Sequence, residues 1–424
     1  MSREKGGIRA RGGRLAVALT GIGSLLVAGG AVAAADSPTS VLACSSDWST
    51  VPTAPRVAPS SYSLSGVAAA GINDVWAVGK ITANQSAGPG QNETLIEHWD
   101  GFSWNRTASP SPAVGASPTN SLMGVAAVSP IDVWAVGASG AGSNKALVEH
   151  YNGVVWSVVP APTPGTASSL WGVSATGLSD VWAVGSTSDP SGIYSQGLVE
   201  HWNGTKWDVI PDASPPRSSL SSVTVLSPTD VWAVGFYAVP DWPFQTFTEH
   251  WDGTRWTSVA GLGQIGGVNG SGFYGVAGAA PNDVWGVGVF GVVNGAMPLV
   301  AHWNGSRWTQ FAAPGAGPSP NGVLNGVAVV AANDVWAVGN YATTTDRDTL
   351  PLIEHWDGTT WTVSPPPSGA TGGWDTTLNS VTVGDRGEWA VGGGDADSIS
   401  VRRCDSLITT LEHKLGSFTP SFSG

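Results

Sequence analysis

Histidine and aspartate are the residues of this chain whose spacing could carry chemistry, and all seven histidines of its 424 residues fall in one recurring phrase. His98, His150, His201, His250, His302, His355 and His413 return about every fifty residues. Clustered imidazoles would make a transition-metal site or a set of general bases. One per repeat instead scatters them around whatever the repeat builds, so a structural role is expected and no metal site. A matching aspartate, Asp74, Asp132, Asp180, Asp230, Asp283 or Asp334, stands before Val-Trp in six units, and Gly387 takes its place in the seventh. An Asp–His hydrogen bond in each unit would spare the roughly 1–3 kcal/mol cost of a buried unpaired polar group. Glutamate precedes histidine in six copies and Ala301 replaces it in the fifth, which makes the carboxylate dispensable to the repeat.

Catalytic spacing is otherwise thin. No Ser/His/Asp motif, zinc-ligand pattern or phosphate loop stands out, and no cofactor is implied. Asp346-Arg347-Asp348 and Asp395-Ala396-Asp397 read as solvated loop charges. The sequence therefore favours a binding protein over an enzyme. A hydrolase or lyase acting on polysaccharide through paired carboxylates is the alternative, and a structural extracellular scaffold a third.

The elements that must position these residues follow from the unit itself. Each copy reads as an apolar run Leu-x-Gly/Ser-Val, a turn, Asp-Val-Trp-Ala-Val-Gly, a variable loop, and Leu-x-Glu-His-Trp-Asp/Asn-Gly-x-x-Trp. Apolar and small or polar residues alternate over five to seven positions between Gly, Pro, Asn and Asp punctuation, which predicts four short strands. In the first unit these are A (Leu64 to Ala69), B (Val75 to Gly79), C (Thr94 to Trp99) and D (Ser103 to Thr107). The Asp/Asn-Gly link between C and D predicts a tight hairpin with two positive-φ residues. Four-stranded antiparallel units repeated seven times predict an all-β fold, a seven-bladed β-propeller. The seventh unit lacks its closing Trp after Leu411-Glu412-His413, whereas Trp48 with Pro52 four residues on matches Trp207 with Pro211. The N-terminal segment is thus expected to supply the last strand of the last blade. The implied organisation is a signal peptide over 1–35, the closing-strand segment over 36–61, the propeller over 62–416 and a tail over 417–424.

A Gly after strand B, an aromatic late in C, a Trp in D and a Pro just beyond resemble the kelch and galactose-oxidase-like propellers, over about Cys44 to Gly416. Only Gly392-Gly393 offers the Gly-Gly pair usual in kelch units. The Asp-Gly-x-x-Trp hairpin is similar, more weakly, to blades of propeller lectins. The copper–radical chemistry of galactose oxidase is not implied, because every histidine belongs to the repeat and neither cysteine adjoins a tyrosine.

Three of the 22 tryptophans, Trp171, Trp242 and Trp374, lie outside the repeat pattern, and departures from a repeat are where function can hide. The A–B and C–D turns are short and uniform, whereas the B–C loops and Pro-rich D–A links vary and emerge together on one face, the expected working face. The variable residue of Leu-x-Gly/Ser-Val should ring the channel mouth there: Ser65, Met123, Trp171, Ser221, Tyr274, Asn325 and Asn379. Aromatics for stacking with amides and hydroxyls for hydrogen bonding suit a neutral polar ligand such as a sugar. Strand alternation could equally turn these side chains into the seams between blades. Trp242, in the apolar insertion Tyr237 to Phe247, is a second candidate contact.

Arg3, Lys5, Arg9, Arg11 and Arg14 precede an apolar stretch from Leu15 to Ala35 that ends in small residues. This reads as a secretory signal cleaved after Ala33 or Ala35, with an uncleaved anchor or a lipidated Cys44 as rival readings. Its removal takes five of 18 Lys+Arg and one of 31 Asp+Glu, leaving 13 against 30, a net charge of −17. Such acidity excludes nucleic acid and anionic membranes as partners. The expected product is an extracellular monomer binding carbohydrate or a surface protein. Cys44 and Cys404 would staple the ring ends if bonded. With strand C of the seventh unit read as Leu407 to His413, however, they fall at opposite ends of the blade, beyond disulfide reach.

Overall fold

The structure is a computed structural model. It describes residues 45–404 except 72, 84–90, 116, 190, 193, 240–243, 261, 263–269, 293–294, 316–320, 344–347, 368–374 and 395–396. The signal peptide, His413, the tail, Trp242 and Trp374 lie outside the described residues.

Every regular element among the described residues is a strand, and the strands form seven four-stranded antiparallel sheets. A two-residue strand, β1 (Ser49–Thr50), comes first. Blade 1 follows as β2 (Ser61–Gly71), β3 (Asp74–Thr82), β4 (Asn92–Trp99) and β5 (Trp104–Thr107), each pairing with the next. The innermost strands of blades 2 to 7 are β6 (Thr119–Ser129), β10 (Ser168–Gly177), β14 (Ser218–Ser227), β18 (Ser271–Ala280), β22 (Gly322–Ala331) and β26 (Thr377–Gly384). Blade 7 continues through β27 (Gly387–Gly393) and β28 (Ser398–Cys404), and β1 completes it by pairing Ser49 with Arg402 and Thr50 with Val401. The seven-bladed fold and its closure by the N-terminal strand are as the sequence predicts.

Aromatic rings fill the seams. Trp76 of blade 1 stacks on its own His98 at 4.1 Å and meets Tyr151 and Trp156 of blade 2 at 4.8 and 5.4 Å. The pattern repeats around the ring, and Trp389 of blade 7 meets Trp99 and Trp104 of blade 1. Trp48 packs edge-on against Trp336 of blade 6 at 5.5 Å, the place a strand-D tryptophan takes elsewhere. Large aromatic areas buried between blades, not within one, give the ring its cohesion.

Blade 7 departs from the sequence reading. Its third strand is Ser398–Cys404, not Leu407 to His413. The histidine phrase is the chemical mark of strand C, but a four-residue link from Gly393 and the apolar Ile399 and Val401, which pack in the seam with blade 6, decide which segment pairs. Arg402 stands opposite Trp389 where His98 stands opposite Trp76, and its guanidinium lies 5.0 Å from that ring. Arg403 takes the next place, 4.6 Å over Trp336, and bonds the buried Glu388 at 3.0 Å.

This shift also overturns the argument against a disulfide. Cys404 is disulfide-bonded, and Cys44, the other cysteine of the chain, lies outside the described residues. The Cys404 backbone N–H donates to Ser45 O at 2.8 Å, so chain start and last strand run side by side there. The C–D hairpins differ too. Trp99 pairs with Trp104 across a four-residue loop in which Gly101 alone has positive φ, while Asp100 Oδ1 accepts from the N–H groups of Phe102 and Ser103 at 2.9 Å. The aspartate side chain closes the turn, an Asx arrangement in place of a two-residue hairpin.

Candidate functional site

A regular innermost strand would give the channel only backbone, because its side chains alternate between the two flanking seams. Here each innermost strand carries a β-bulge at the same place, and the unpaired residues are Ser65, Met123, Trp171, Ser221, Tyr274, Asn325 and Asn379. A bulge re-aims one side chain out of the alternation. All seven candidates line one central cavity of about 210 Å³. All seven border the channel, while the Asn325 and Asn379 amides also reach across the seams to the next blade. The ring lies two to four residues inside the first residue of each strand, so it sits within the channel and not at its rim.

The glycine of Ala-Val-Gly records the bulge in the sequence. A Cβ on Gly79 would strike Ser63 O, and the same clash meets Gly137, Gly185, Gly235, Gly288, Gly339 and Gly392. The small residue after the bulge has its own reason, since a Cβ on Gly66 would press on Met123 O of the next blade at 3.1 Å.

The ring is not uniform. Trp171 is 40% exposed and its indole N–H points at Ser186 Oγ, 3.5 Å away. Burial raises the Tyr274 phenol above its ordinary pKa. The amide groups expected to serve a ligand bond the protein instead: Asn325 Nδ2 donates to Leu378 O at 2.9 Å, and Asn379 Nδ2 to Leu64 O at 2.8 Å, both across seams. No residue lining the cavity is charged. Tyr274 also borders a mostly apolar cavity of about 300 Å³ with Phe236 and Phe244. Phe244, in the insertion the sequence singled out, is 54% exposed and edge-on to Phe236 at 5.2 Å.

The loop asymmetry is present. The A–B turns between described strands hold two residues and the C–D loops four, whereas B–C links run from two residues in blade 5 to nine in blade 1.

The histidines stand apart from the channel. His98, His150, His201, His250, His302 and His355 each bond their predicted aspartate through Nε2 at 2.8–2.9 Å. No group of three or more metal-ligating side chains occurs among the described residues.

The glutamates are unusual in a way the sequence did not disclose. Glu97, Glu149, Glu200, Glu249 and Glu354 are fully buried. Burial pushes Glu97 and Glu354 up to about 7 and Glu149, Glu200 and Glu249 up to about 8. The linker entering the blade supplies a backbone N–H to three of them: Ala54 to Glu97 at 3.2 Å, Ala213 to Glu249 at 2.8 Å and Gly315 to Glu354 at 2.9 Å. Ala54 and Ala213 stand six residues beyond Trp48 and Trp207; the corresponding places after Trp104 and Trp156 hold Pro110 and Pro162, which have no N–H. Ser109 Oγ serves Glu149 instead at 2.9 Å, but Ala161 precedes Pro162, and neither carboxyl oxygen of Glu200 has a partner among the described residues.

Fold and cavity together define a seven-bladed propeller with an uncharged, bulge-built channel site. No protein-family model matches the chain, and no curated protein matches it. Among solved structures it is similar to YCF48 bound to D1 peptide, with TM-score 0.51 and 12% identity over 85% of this chain and 97% of that one. It is also similar to YCF48 from Cyanidioschyzon merolae, with TM-score 0.51 and 15% identity over 84% of this chain and 99% of that one. At such identity the likeness is one of fold.

Proposed function

We propose that the chain is a secreted binding module that takes an uncharged ligand from its loop-rich face into the channel, with carbohydrate as the first ligand class. The observation carrying this reading is the convergence of seven bulge side chains on one cavity that includes the exposed Trp171 and no charge. An indole face and serine hydroxyls match the C–H faces and hydroxyls of a sugar, and the absence of paired carboxylates there disfavours glycoside cleavage. A surface polypeptide is the second reading, favoured by the fold likeness to a propeller described with a bound peptide. The leader-like residues 1–35 and the disulfide support secretion. The test is binding of the chain from Asp36 onward to arrays of glycans and of peptides, beside Trp171→Ala and Tyr274→Ala. Ligands lost in both variants support the channel site; ligands that bind unchanged in both refute it.

A further inference from the structure

Blade 3 carries a further cavity close to the channel. It is an open groove of about 400 Å³ on the loop-rich face, walled by Ser143 and Asn144 of blade 2 and by Ser169, Ser186, Tyr194 and Ser195 of blade 3. Ser169 and Ser186 are direct cross-strand partners. Ser186 also receives the indole N–H of Trp171, so the groove wall comes within reach of the channel ring. Four aromatic side chains are markedly exposed among the described residues: Phe102, Trp171, Tyr194 and Phe244. Two of the four, Trp171 and Tyr194, stand along this path.

The groove is held in shape. Tyr194 donates its backbone N–H to Asp189 Oδ1 at 3.2 Å and accepts from Asp189 N at 2.7 Å, and the Arg217 guanidinium lies 4.0 Å from its ring. Ser188 Oγ accepts from the N–H groups of Thr166 and Ala167 at 3.0 and 2.8 Å, tying the entering linker to the loop after the second strand. The hydroxyls of Ser143, Ser169 and Ser195, by contrast, make no side-chain hydrogen bond among the described residues, and the residues lining the groove carry no charge themselves. A wall with unspent hydroxyls and two exposed rings, its lining uncharged apart from the Arg217 guanidinium set against Tyr194, has the chemistry of a site for a chain of uncharged polyols. A cationic ligand would find no lining carboxylate to pair with.

We infer that this groove is a subsite for a neutral oligosaccharide, one sugar lying over Trp171 in the channel and the next ones running past Ser169 and Ser186 to Tyr194. The inference rests on the reading of the loop-rich face as the working face and adds a chain-length requirement that the channel alone would not impose.

Calorimetry with cello-, xylo-, manno-, galacto- and chito-oligosaccharides of one to five residues tests it, with oligogalacturonate as the charged control. For the sugar that binds, affinity should rise at least tenfold between one and three or four residues and fall for the charged chain. Tyr194→Ala should abolish that rise and leave monosaccharide affinity unchanged, Tyr194→Phe should restore it, and Trp171→Ala should remove binding at every length. Binding that depends on Trp171 but not on chain length or Tyr194 would overturn the groove and leave the channel reading standing. Peptides bound in a Trp171-dependent way, with no saccharide bound by folded protein, would overturn the carbohydrate assignment but keep the working face. Silence from both ligand classes would sink both readings.

Discussion

The unpartnered carboxyl of Glu200 makes the stability of this propeller pH-dependent in a calculable direction. Its folded pKa is pushed up to about 8 from an ordinary 4.5 because burial disfavours the anion and no donor among the described residues opposes it. Between those two values the folded chain holds a proton that the unfolded chain has released, so stability is greatest below about pH 4.5 and declines as pH rises to about 8. Each pH unit in the window costs about 1.4 kcal/mol, and the interval of 8 − 4.5 = 3.5 gives a loss on the order of 5 kcal/mol for this residue alone. Glu200→Gln removes the titration. It leaves a buried amide to satisfy, a penalty of about 1–3 kcal/mol that does not vary with pH. The variant should therefore be no more stable than the parent at pH 5 and more stable at pH 8.5. Urea unfolding of both proteins at pH 5, 6.5, 8 and 9 reads the difference directly. A difference that stays constant across the series would refute the reasoning, because it would mean that Glu200 is ionised in both states or in neither. Pro162→Ala supplies a backbone N–H at the place where Ala54 serves Glu97, whose pKa is lower at about 7, and it should flatten the parent's decline.

Other expectations follow from the same geometry. Reducing the disulfide, or Cys404→Ser, releases a ring closed otherwise by a two-residue strand and should cost about 3–5 kcal/mol, read as a lower denaturant midpoint. Asp230 accepts from both His250 Nε2 and Trp232 Nε1, at 2.8 and 3.0 Å, whereas Asp74 accepts from His98 without serving Trp76. Asp230→Ala should thus destabilise by about 1–3 kcal/mol more than Asp74→Ala in chemical denaturation. Gly235→Ala forces a Cβ into Ser219 O beside the Ser221 bulge and should cost at least about 3 kcal/mol, seen as a large drop in melting temperature.

Much of the architecture is legible in the residues because each blade is a local structure repeated. Alternation within a unit of about fifty residues specifies four strands, recurrence specifies seven blades, and the unmatched Trp48 specifies closure by the N-terminal strand. The Asp–His bonds and the seven channel residues could be named in advance because every copy repeats the same offsets.

Tertiary structure decided what depends on contacts between units or on breaks in the pattern. The bulge that turns Ser65 and its counterparts into the channel arises from pairing with the second strand, which residue alternation does not encode. Asn325 and Asn379 look free for a ligand until the neighbouring blade presents the Leu378 and Leu64 carbonyls that occupy them. Blade 7 shows the sharpest divergence: the histidine phrase names a strand, but loop length and the apolar seam with blade 6 select Ser398–Cys404, and that choice brings Cys404 to the chain start. Burial of Glu200 comes only with the assembled sheet, and Pro162, at the linker place where Ala54 serves Glu97, has no N–H to offer it. The repeat thus determined the blades, while the seams, where residues far apart in sequence exclude water together, determined the chemistry between them.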